Sequence, residues 1–443
     1  MKKRILIISY FFAPENTIGA VRPTKLAKYL QRQGHEVTVL CGDGMWGLDD
    51  PTLEKDLQEL KDVHVLREWN PLRDRYEKKR SAFGAKDDGG VAAGSERRSL
   101  AKAVRGKILK IIHALMDFVY VYITVISDRH FQRLGCCWLQ KSQQQYDAVF
   151  STYSPLSVHM IARKAKKMGL AGKWIADCRD EVEVPFFWMR PWMGWYMRML
   201  RKEADVLSAV SGGLLDTMGF GDNGRVLTNG FDPDDRPLPK EETGKRNSRF
   251  TMAYCGQLRM GRKDIGSRDL TVIFQAFREL ITQGIISEEE IHIQYAGDEG
   301  STIRQQAGNA RLEDCVTDHG LVTRERSLEI LQNADLLLMA SWCLQGQTGI
   351  LSGKLFECML MNKPMACVVQ GDVVDGELAR VIRETEAGYC YETASGMALD
   401  GLVDYLRSRI ICWREGRVDQ TGGKTGRYHY QSLAQQLADW AGE

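Results

Sequence analysis

Short apolar runs alternate with amphipathic stretches along this 443-residue chain, and the alternation begins twice. Strands covered on both faces of a parallel sheet are apolar throughout rather than at alternate positions. In the first half we therefore predict strands at Arg4–Ser9 (RILIIS), Glu36–Cys41, Val63–Glu68, Asp147–Thr152, Lys173–Cys178 and Asp205–Val210. An amphipathic helix from Thr24 to Gln33 is predicted after the first of them.

The pattern restarts after a polar stretch rich in turn formers, Asn229 to Arg249. Further strands are predicted at Thr251–Gly256, Ile291–Gly297, Cys315–Gly320, Asp335–Ser341 and Pro364–Val369. Strand–helix alternation predicts an α/β fold with a doubly wound parallel sheet, and two starts predict two Rossmann-like domains. We place them at residues 1–232 and 233–427, facing each other across a cleft. Ligands of such folds bind at the carboxyl ends of the strands.

Composition excludes several classes of protein. The formal net charge of +2 lacks the basic excess of a nucleic-acid binder. Eleven scattered cysteines without a Cys-x-x-Cys pair favour a reducing cytosol over a disulfide framework. No histidine cluster has metal-ligand spacing, so we expect no metal.

Membrane contact is left open by the sequence. The apolar run at the N-terminus is short and lacks a cleavage site, so it is predicted to be a strand rather than a signal peptide. Residues 73–110 contain twelve Lys or Arg against five Asp or Glu, and an apolar stretch extends to residue 126. This segment can dock on anionic lipid, or it can be a solvated loop followed by a buried helix. The Trp- and Met-rich stretch Pro185–Leu200 can contact the acceptor or a membrane, or it can be a core helix.

The segment SGKLFE, Ser352 to Glu357, carries the clearest candidate site. Ser352 stands where an N-cap belongs, before a helix predicted from Gly353 to Met361. The first amides of that helix, on Gly353, Lys354 and Leu355, together with the Lys354 charge, would form an anion pocket. Glu357 could then accept hydrogen bonds from sugar hydroxyls. The alternative is an ordinary capped helix with Glu357 in solvent.

Two further loops carry candidate phosphate contacts. Arg259, Arg262 and Lys263 lie in CGQLRMGRKDIG, after the first strand of the second half, although exposed loop charges are the ordinary alternative. In the first half, Gly19 would allow close approach of the backbone to a ligand, and Arg22 lies beside it.

Loops after two later strands of the first half should open onto the same cleft. They are STYSP, which contains Tyr153, and DCRDE, which contains Arg179 and Asp180. Asp180 or the following Glu181 could orient an acceptor hydroxyl or act as a base. Helix capping by these acidic residues is an equal alternative.

Taken together, these motifs resemble the family-4 glycosyltransferases, which are retaining enzymes of GT-B architecture. The resemblance runs nearly end to end. It rests on the order and spacing of the Gly19 loop, GHEVTVL, DCRDE, AVSGGLLDTM with TNGFD, YCGQLRMGRKD, HGLVTRERSLEILQNADLLLMAS and SGKLFECMLMNKPMACVV.

The resemblance implies specific roles for residues of the second domain. Arg262 and Lys263 match the cations at the donor diphosphate, and Ser352 to Leu355 match the second phosphate contact. Glu357 corresponds to the second glutamate of the E-x7-E motif, which holds the ribose. Val322 and Thr323 fall in the region that binds the base.

In the first domain, the resemblance implies that Gly19 abuts the donor phosphates. Arg22, Tyr153, Arg179 and Asp180 fall on the acceptor side of the cleft. The last helix, residues 428–443, is expected to pack back onto this domain.

The chain departs from the family pattern at three positions. The first glutamate of E-x7-E would be residue 349, which is glycine, so the donor sugar must be recognised differently. Tyr153 stands in place of a cleft histidine, and Gln257 in place of an arginine that Arg259 could replace.

The resemblance implies transfer of a sugar from a UDP- or GDP-sugar to an acceptor hydroxyl, with retention and without a cofactor. The acceptor would be a glycan or a lipid-linked saccharide of bacterial surface polysaccharide, such as O-antigen or capsule. The expected location is the cytoplasm or the inner face of the plasma membrane. Alternatives on the same architecture are a nucleotide-sugar 2-epimerase, a glycan phosphorylase and a non-catalytic binding subunit.

Overall fold

Two parallel β-sheets form the framework of the protein. The computed structural model describes residues 2–43, 49–67, 125–182, 190–221, 224–237, 247–258, 266, 268–417 and 424–443. In that part of the chain the first sheet has seven strands and the second has six. Every strand pair recorded in the two sheets is parallel.

The first sheet is built from the N-terminal half. In chain order its strands β1 to β7 are Arg4–Ser9, Glu36–Gly42, Val63–Leu66, Tyr146–Tyr153, Ala171–Cys178, Val206–Ala209 and Gly224–Val226. Their spatial order is β3-β2-β1-β4-β5-β6-β7, the order of a doubly wound sheet. The accompanying helices α1 to α6 are Ile18–Arg32, Pro51–Glu59, residues 125–142, Ser157–Lys167, Arg190–Glu203 and Gly212–Thr217.

The second sheet repeats this plan. Its strands β8 to β13 are Phe250–Cys255, Ile291–Ala296, Val316–Asp318, Leu336–Cys343, Met365–Gly371 and Gly388–Glu392, in the spatial order β10-β9-β8-β11-β12-β13. Helices α7 to α13 are Thr271–Thr282, Gly300–Gly308, Arg324–Gln332, Gly353–Met361, Glu377–Thr385, Asp400–Arg414 and Tyr430–Gly442. The predicted fold class is therefore confirmed.

The central strands are buried on both faces, as their apolar runs predict. Ile5 and Ile7 pack into one cluster under α1, whereas Leu6 and Ile8 pack into another on the opposite face. The sequence analysis predicted β1 to β6 and β8 to β12. It missed the edge strands β7 and β13, which lack a long apolar run.

Helix α1 begins at Ile18, six residues before the predicted start at Thr24. The prediction was wrong because proline usually lies in the first turn of a helix. Here Pro23 lies inside α1, after its first turn.

A buried network of charges joins α1 to the segment that leads out of the first sheet. Lys25 Nζ lies 2.8 Å from Asp232 and 2.6 Å from Asp56. Lys28 Nζ lies 2.9 Å from Asp232, which also accepts a hydrogen bond from Tyr29 Oη at 2.6 Å. Burial opposes ionisation of Asp232, but these partners outweigh it and hold the pKa of this carboxyl below its usual range. The network fixes the start of the connection between the sheets.

The last helix, α13, lies against α1 and contributes Leu433, Leu437 and Trp440 to a cluster on the first sheet. The chain therefore crosses from the first sheet to the second and returns. The division at residue 232 stays a prediction.

Among the described residues, no helix combines the length and apolar character needed to cross a bilayer. Most of residues 73–126 lie outside the described part of the chain, so their predicted membrane contact stays a prediction. In the Trp- and Met-rich stretch, α5 buries Met193, Tyr196 and Met199, whereas Trp192 and Trp195 are about two-fifths exposed.

Candidate functional site

A cavity of about 390 Å³ lies between the two sheets. It opens where strands β8 and β9 end, the position at which α/β sheets bind ligands. Residues of both halves of the chain line it, including Asn16, Ile18, Val21, Arg22, Gly230, Gly256, Asp298, Leu321, Val322, Arg324, Gly353, Lys354 and Glu357.

Within the described part of the chain, three helices begin at this cavity. Ile18 is the first residue of α1, Arg324 of α9 and Gly353 of α10. The starts of α1 and α10 are close, because a Cβ on Gly353 would lie 3.4 Å from Ile18 Cδ1. The first amides of a helix have no partner within it, and the helix dipole favours an anion there. The cavity is therefore suited to a ligand with several negative charges.

Lys354 places an ammonium group in the cavity. Its Nζ is buried and has no hydrogen-bond partner among the described residues. It lies 5.2 Å from the centre of the Tyr254 ring. A Cβ on Gly256 would overlap the ammonium end of this side chain, which would have to move, and the φ of +130° at Gly256 favours glycine. Burial and then the nearby Arg268 lower the pKa of Lys354 to about 8.

Glu357, one turn further along α10, faces Arg324. Arg324 Nε lies 3.3 Å from the Glu357 carboxylate, and its Nη2 lies 3.0 Å from Asp235. The same guanidinium donates to Thr52 Oγ1 at 2.9 Å. Burial opposes the charge of Arg324, but its acidic neighbours outweigh this and raise its pKa. Glu357 is thus held at the cavity, with its side chain 30% exposed. The sequence analysis did not identify Arg324 as a bridge, because its partners are distant in sequence.

Arg22 lines the cavity but is committed to an internal network. Its guanidinium pairs with Asp177 and donates to the carbonyl of Leu227 at 2.5 Å. Asp177 also accepts hydrogen bonds at 2.7 Å from Thr152 and Ser208. Only 2% of the surface of Arg22 is exposed, so its main role is to stabilise the wall of the cavity through these internal bonds.

The structure gathers some of the predicted site residues and disperses others. Arg22, Val322, Gly353, Lys354 and Glu357 line the cavity. Arg259, Arg262 and Lys263 lie outside the described residues, and their predicted role at the donor diphosphate stays a prediction.

At the start of α10 the expected use of the amides is partly wrong. Leu355 was predicted to offer its amide to an anion, but this group donates to the carbonyl of Ser352 at 3.1 Å. The tightened first turn uses it internally, and the Leu355 side chain is buried. Ser352 takes the N-cap position, but its hydroxyl does not cap the helix. Thr323 caps α9 by accepting from the Arg326 amide at 3.3 Å.

The predicted residues of the first domain mostly contact one another. A Cβ on Gly19 would overlap the Arg179 guanidinium, so the space at this glycine is filled by Arg179 and not by open cavity. Arg179 also lies over the Phe11 ring and donates to the carbonyl of Tyr153 at 2.7 Å. Asp180 is exposed, and its carboxylate lies 3.9 Å from Arg179.

One cluster of carboxylates has the spacing of metal ligands. Asp56, Asp232 and Asp235 bring oxygens within 4.8 Å of one another. Lys25 Nζ lies within 2.8 Å of each of these carboxylates. Lys28 also contacts Asp56 and Asp232, and Arg324 contacts Asp235, so three cations of the protein balance the three carboxylates.

Comparison with known proteins identifies the architecture. No family model matches the chain, and no curated protein matches its sequence. Solved structures match over nearly the whole chain at low identity. A glycosyltransferase from Rickettsia africae matches with a TM-score of 0.53 and 12% identity, covering 99% of this chain and 98% of that one.

Two further structures match as well. The catalytic domain of starch synthase IV from Arabidopsis thaliana, bound to ADP and acarbose, has a TM-score of 0.55 and 12% identity, covering 100% and 99% of the two chains. The N-terminal domain of trehalose-6-phosphate phosphatase from Candida albicans has a TM-score of 0.58 and 11% identity, covering 100% and 97%.

The fold is the GT-B fold. This fold consists of two Rossmann-like sheets with parallel strands that face each other across a cleft. The described residues contain both sheets and the cleft. At these identities the likeness concerns architecture, so any activity must be argued from the cavity.

Proposed function

We propose that the protein is a glycosyltransferase that moves a sugar from a nucleoside-diphosphate sugar to an acceptor hydroxyl. The observation that carries this proposal is the Lys354 ammonium, buried without a hydrogen-bond partner among the described residues, where α10 begins in the cavity. A buried ammonium without a partner is costly, and an anionic ligand would remove that cost. The ADP and acarbose in the plant starch synthase structure support a nucleotide and a sugar as ligands of this architecture.

The reaction demands stabilisation of the diphosphate that leaves the sugar. Negative charge grows on that group as the glycosidic bond to it breaks, so preorganised positive charge lowers the barrier. Lys354 and the first amides of α10 supply it from the second sheet, and the start of α1 faces them from the first. Glu357, oriented by Arg324, is suited to accept hydrogen bonds from the ribose hydroxyls.

The proposal includes retention at the anomeric carbon, a UDP- or GDP-sugar as donor, and a lipid-linked saccharide of bacterial surface polysaccharide as acceptor. These finer points rest on the sequence resemblance. The anomeric configuration of the product, read by NMR, tests retention. An extract of lipid-linked saccharides, compared with water alone, tests the acceptor.

Replacing Lys354 with Met tests the central point. The methionine keeps most of the buried stem and removes the charge, which should weaken binding of UDP or GDP by about 10- to 100-fold. Calorimetry of nucleotide binding, followed by release of nucleoside diphosphate from a panel of nucleotide sugars, measures the effect. Lys55→Met, on the exposed face of α2, removes the same charge outside the cavity and should bind normally. Wild-type protein that binds no nucleoside diphosphate would overturn the proposal.

A further inference from the structure

The loop after β11 meets the start of α6 across the cleft, with backbone against backbone. A Cβ on Gly349 would lie 2.6 Å from Ser211 Oγ and 2.7 Å from Gly213 Cα. A Cβ on Gly213 would lie 2.5 Å from Gly349 Cα. Such distances exclude any side chain at either position unless the two halves of the protein move apart.

A carboxylate from the second half completes this contact. Glu377, the first residue of α11, accepts hydrogen bonds from the amides of Gly212 at 2.9 Å and Gly213 at 3.1 Å. These are the first two amides of α6, which have no partner within their own helix. A carboxylate at a helix start also interacts favourably with the helix dipole. The second half of the protein therefore caps a helix of the first.

The contact adjoins the candidate site. Gly349 is four residues before Gly353, which lines the cavity. Residues 344–347 precede Gly349 in the chain. They line a second opening of about 370 Å³, together with Thr217 at the end of α6. The contact therefore involves both halves of the protein at the cleft itself.

We propose that Gly213, Gly349 and Glu377 form a closure contact that holds the two halves of the protein together over the cavity. Gly349 stands where the resemblance expects a glutamate. In this arrangement the Cβ of any such residue would collide with the backbone of Gly213. A side chain at position 349 is therefore incompatible with this contact, in which Glu377 acts as a positioning residue. The part of this inference that concerns nucleotide rests on the proposed function.

Amide exchange tests the contact without any ligand. We expect the amides of Gly212 and Gly213 to exchange slowly in the wild type, because Glu377 is their acceptor. In Glu377→Ala they should exchange at least about tenfold faster. Glu377→Gln keeps one acceptor oxygen and should give an intermediate rate. The Leu214 amide, which donates to Ser211 Oγ at 3.2 Å, is an internal control that should change little. Rates at Gly212 and Gly213 that are unchanged in Glu377→Ala would overturn the proposal.

Gly213→Ala tests the backbone approach independently. Alanine favours helix over glycine, so α6 itself should not be weakened. We expect small-angle scattering to show a larger radius of gyration than in the wild type, with unchanged circular dichroism. Gly194→Ala in α5 is the matched control, since a Cβ there has nothing within 4 Å. If Gly213→Ala has the same radius of gyration as the wild type and Gly194→Ala, closure at this contact is contradicted.

Nucleotide binding separates the two proposals. If opening exposes the cavity, Glu377→Ala should bind UDP or GDP about tenfold more weakly than the wild type. Unchanged affinity alongside faster exchange would show that the contact closes the cleft but does not serve the ligand, which would overturn the nucleotide part. Wild-type protein that binds no nucleotide but shows slow exchange would overturn the proposed function and leave the contact established.

Discussion

At the scale of single residues, Lys354 combines features that are costly unless a ligand compensates them. Its ammonium is buried near another cation, Arg268, and lies directly against Gly256, whose φ of +130° favours glycine. A lysine selected for packing alone would have its charge in solvent or in an ion pair. The proposed anion, bound in the cavity, would compensate this cost.

Binding of nucleotide should depend on pH through Lys354. Its pKa of about 8 in the free protein means that the ammonium is present at pH 7 and mostly lost at pH 9. An anion favours the charged form, so binding should take up a proton above pH 8. Affinity for UDP or GDP should therefore fall about tenfold from pH 7 to pH 9.

Calorimetry in buffers of different ionisation enthalpy measures the proton uptake directly. The second proton of a phosphate monoester is lost near pH 6, so the phosphates of the ligand should contribute little in this range. Lys354→Met should bind weakly with a flat profile. A profile with the wild-type slope in that variant would assign the titration to another group.

At the scale of elements, Arg324 attaches α9 to three other parts of the molecule. Its guanidinium contacts Asp235 in the connection between the sheets, Thr52 in α2 and Glu357 in α10. The Asp50 carboxylate lies 3.8 Å away. One side chain thus links the start of α9 to the first sheet and to the proposed ribose contact.

Arg324→Ala should lower the free energy of unfolding by about 2–3 kcal/mol, because Glu357 and the buried Asp50 lose their nearby cation, whereas Asp235 keeps Lys25. Arg326→Ala lies on the same helix and removes an exposed pair with Glu329. It should cost no more than about 0.5 kcal/mol. Urea denaturation followed by circular dichroism compares them. Equal midpoints for the two variants would show that the bridge contributes nothing to stability.

At the scale of the whole molecule, α13 returns the chain to the first half. It covers α1 with a row of apolar side chains that includes Leu433, Leu437 and Trp440. The two halves of the protein are therefore joined by the closure contact, by Arg324 and by two passages of the chain.

Leu437→Ala should destabilise the protein by about 2–5 kcal/mol, since Leu437 is fully buried between α13 and the first sheet. Gln435→Ala, at an exposed position of the same helix, is the control and should have little effect. Thermal unfolding monitored by circular dichroism gives both values. A loss in Leu437→Ala no larger than in the control would mean that α13 does not stabilise the first half.

Much of the fold follows from local patterns. The runs that became β1, β2, β8 and β12 are mostly apolar, because central strands of a parallel sheet are buried on both faces. Helix α10 begins at Gly353 and ends at Met361, as predicted from a polar residue before it and a proline soon after. The edge strands β7 and β13 were not predicted, because a strand at the edge of a sheet does not need a continuous apolar run.

The sequence by itself determined two α/β domains, the cationic start of α10 and the departure at Gly349. Tertiary structure alone decided how Arg179 fills the space at Gly19, which carboxylates hold Arg324, and that Glu377 caps a helix 165 residues away. The physical reason is the distance along the chain over which each kind of interaction acts. Burial periodicity and helix capping are set by neighbours within a few residues, whereas an ion pair or a backbone contact across the cleft exists only once both sheets have formed and docked.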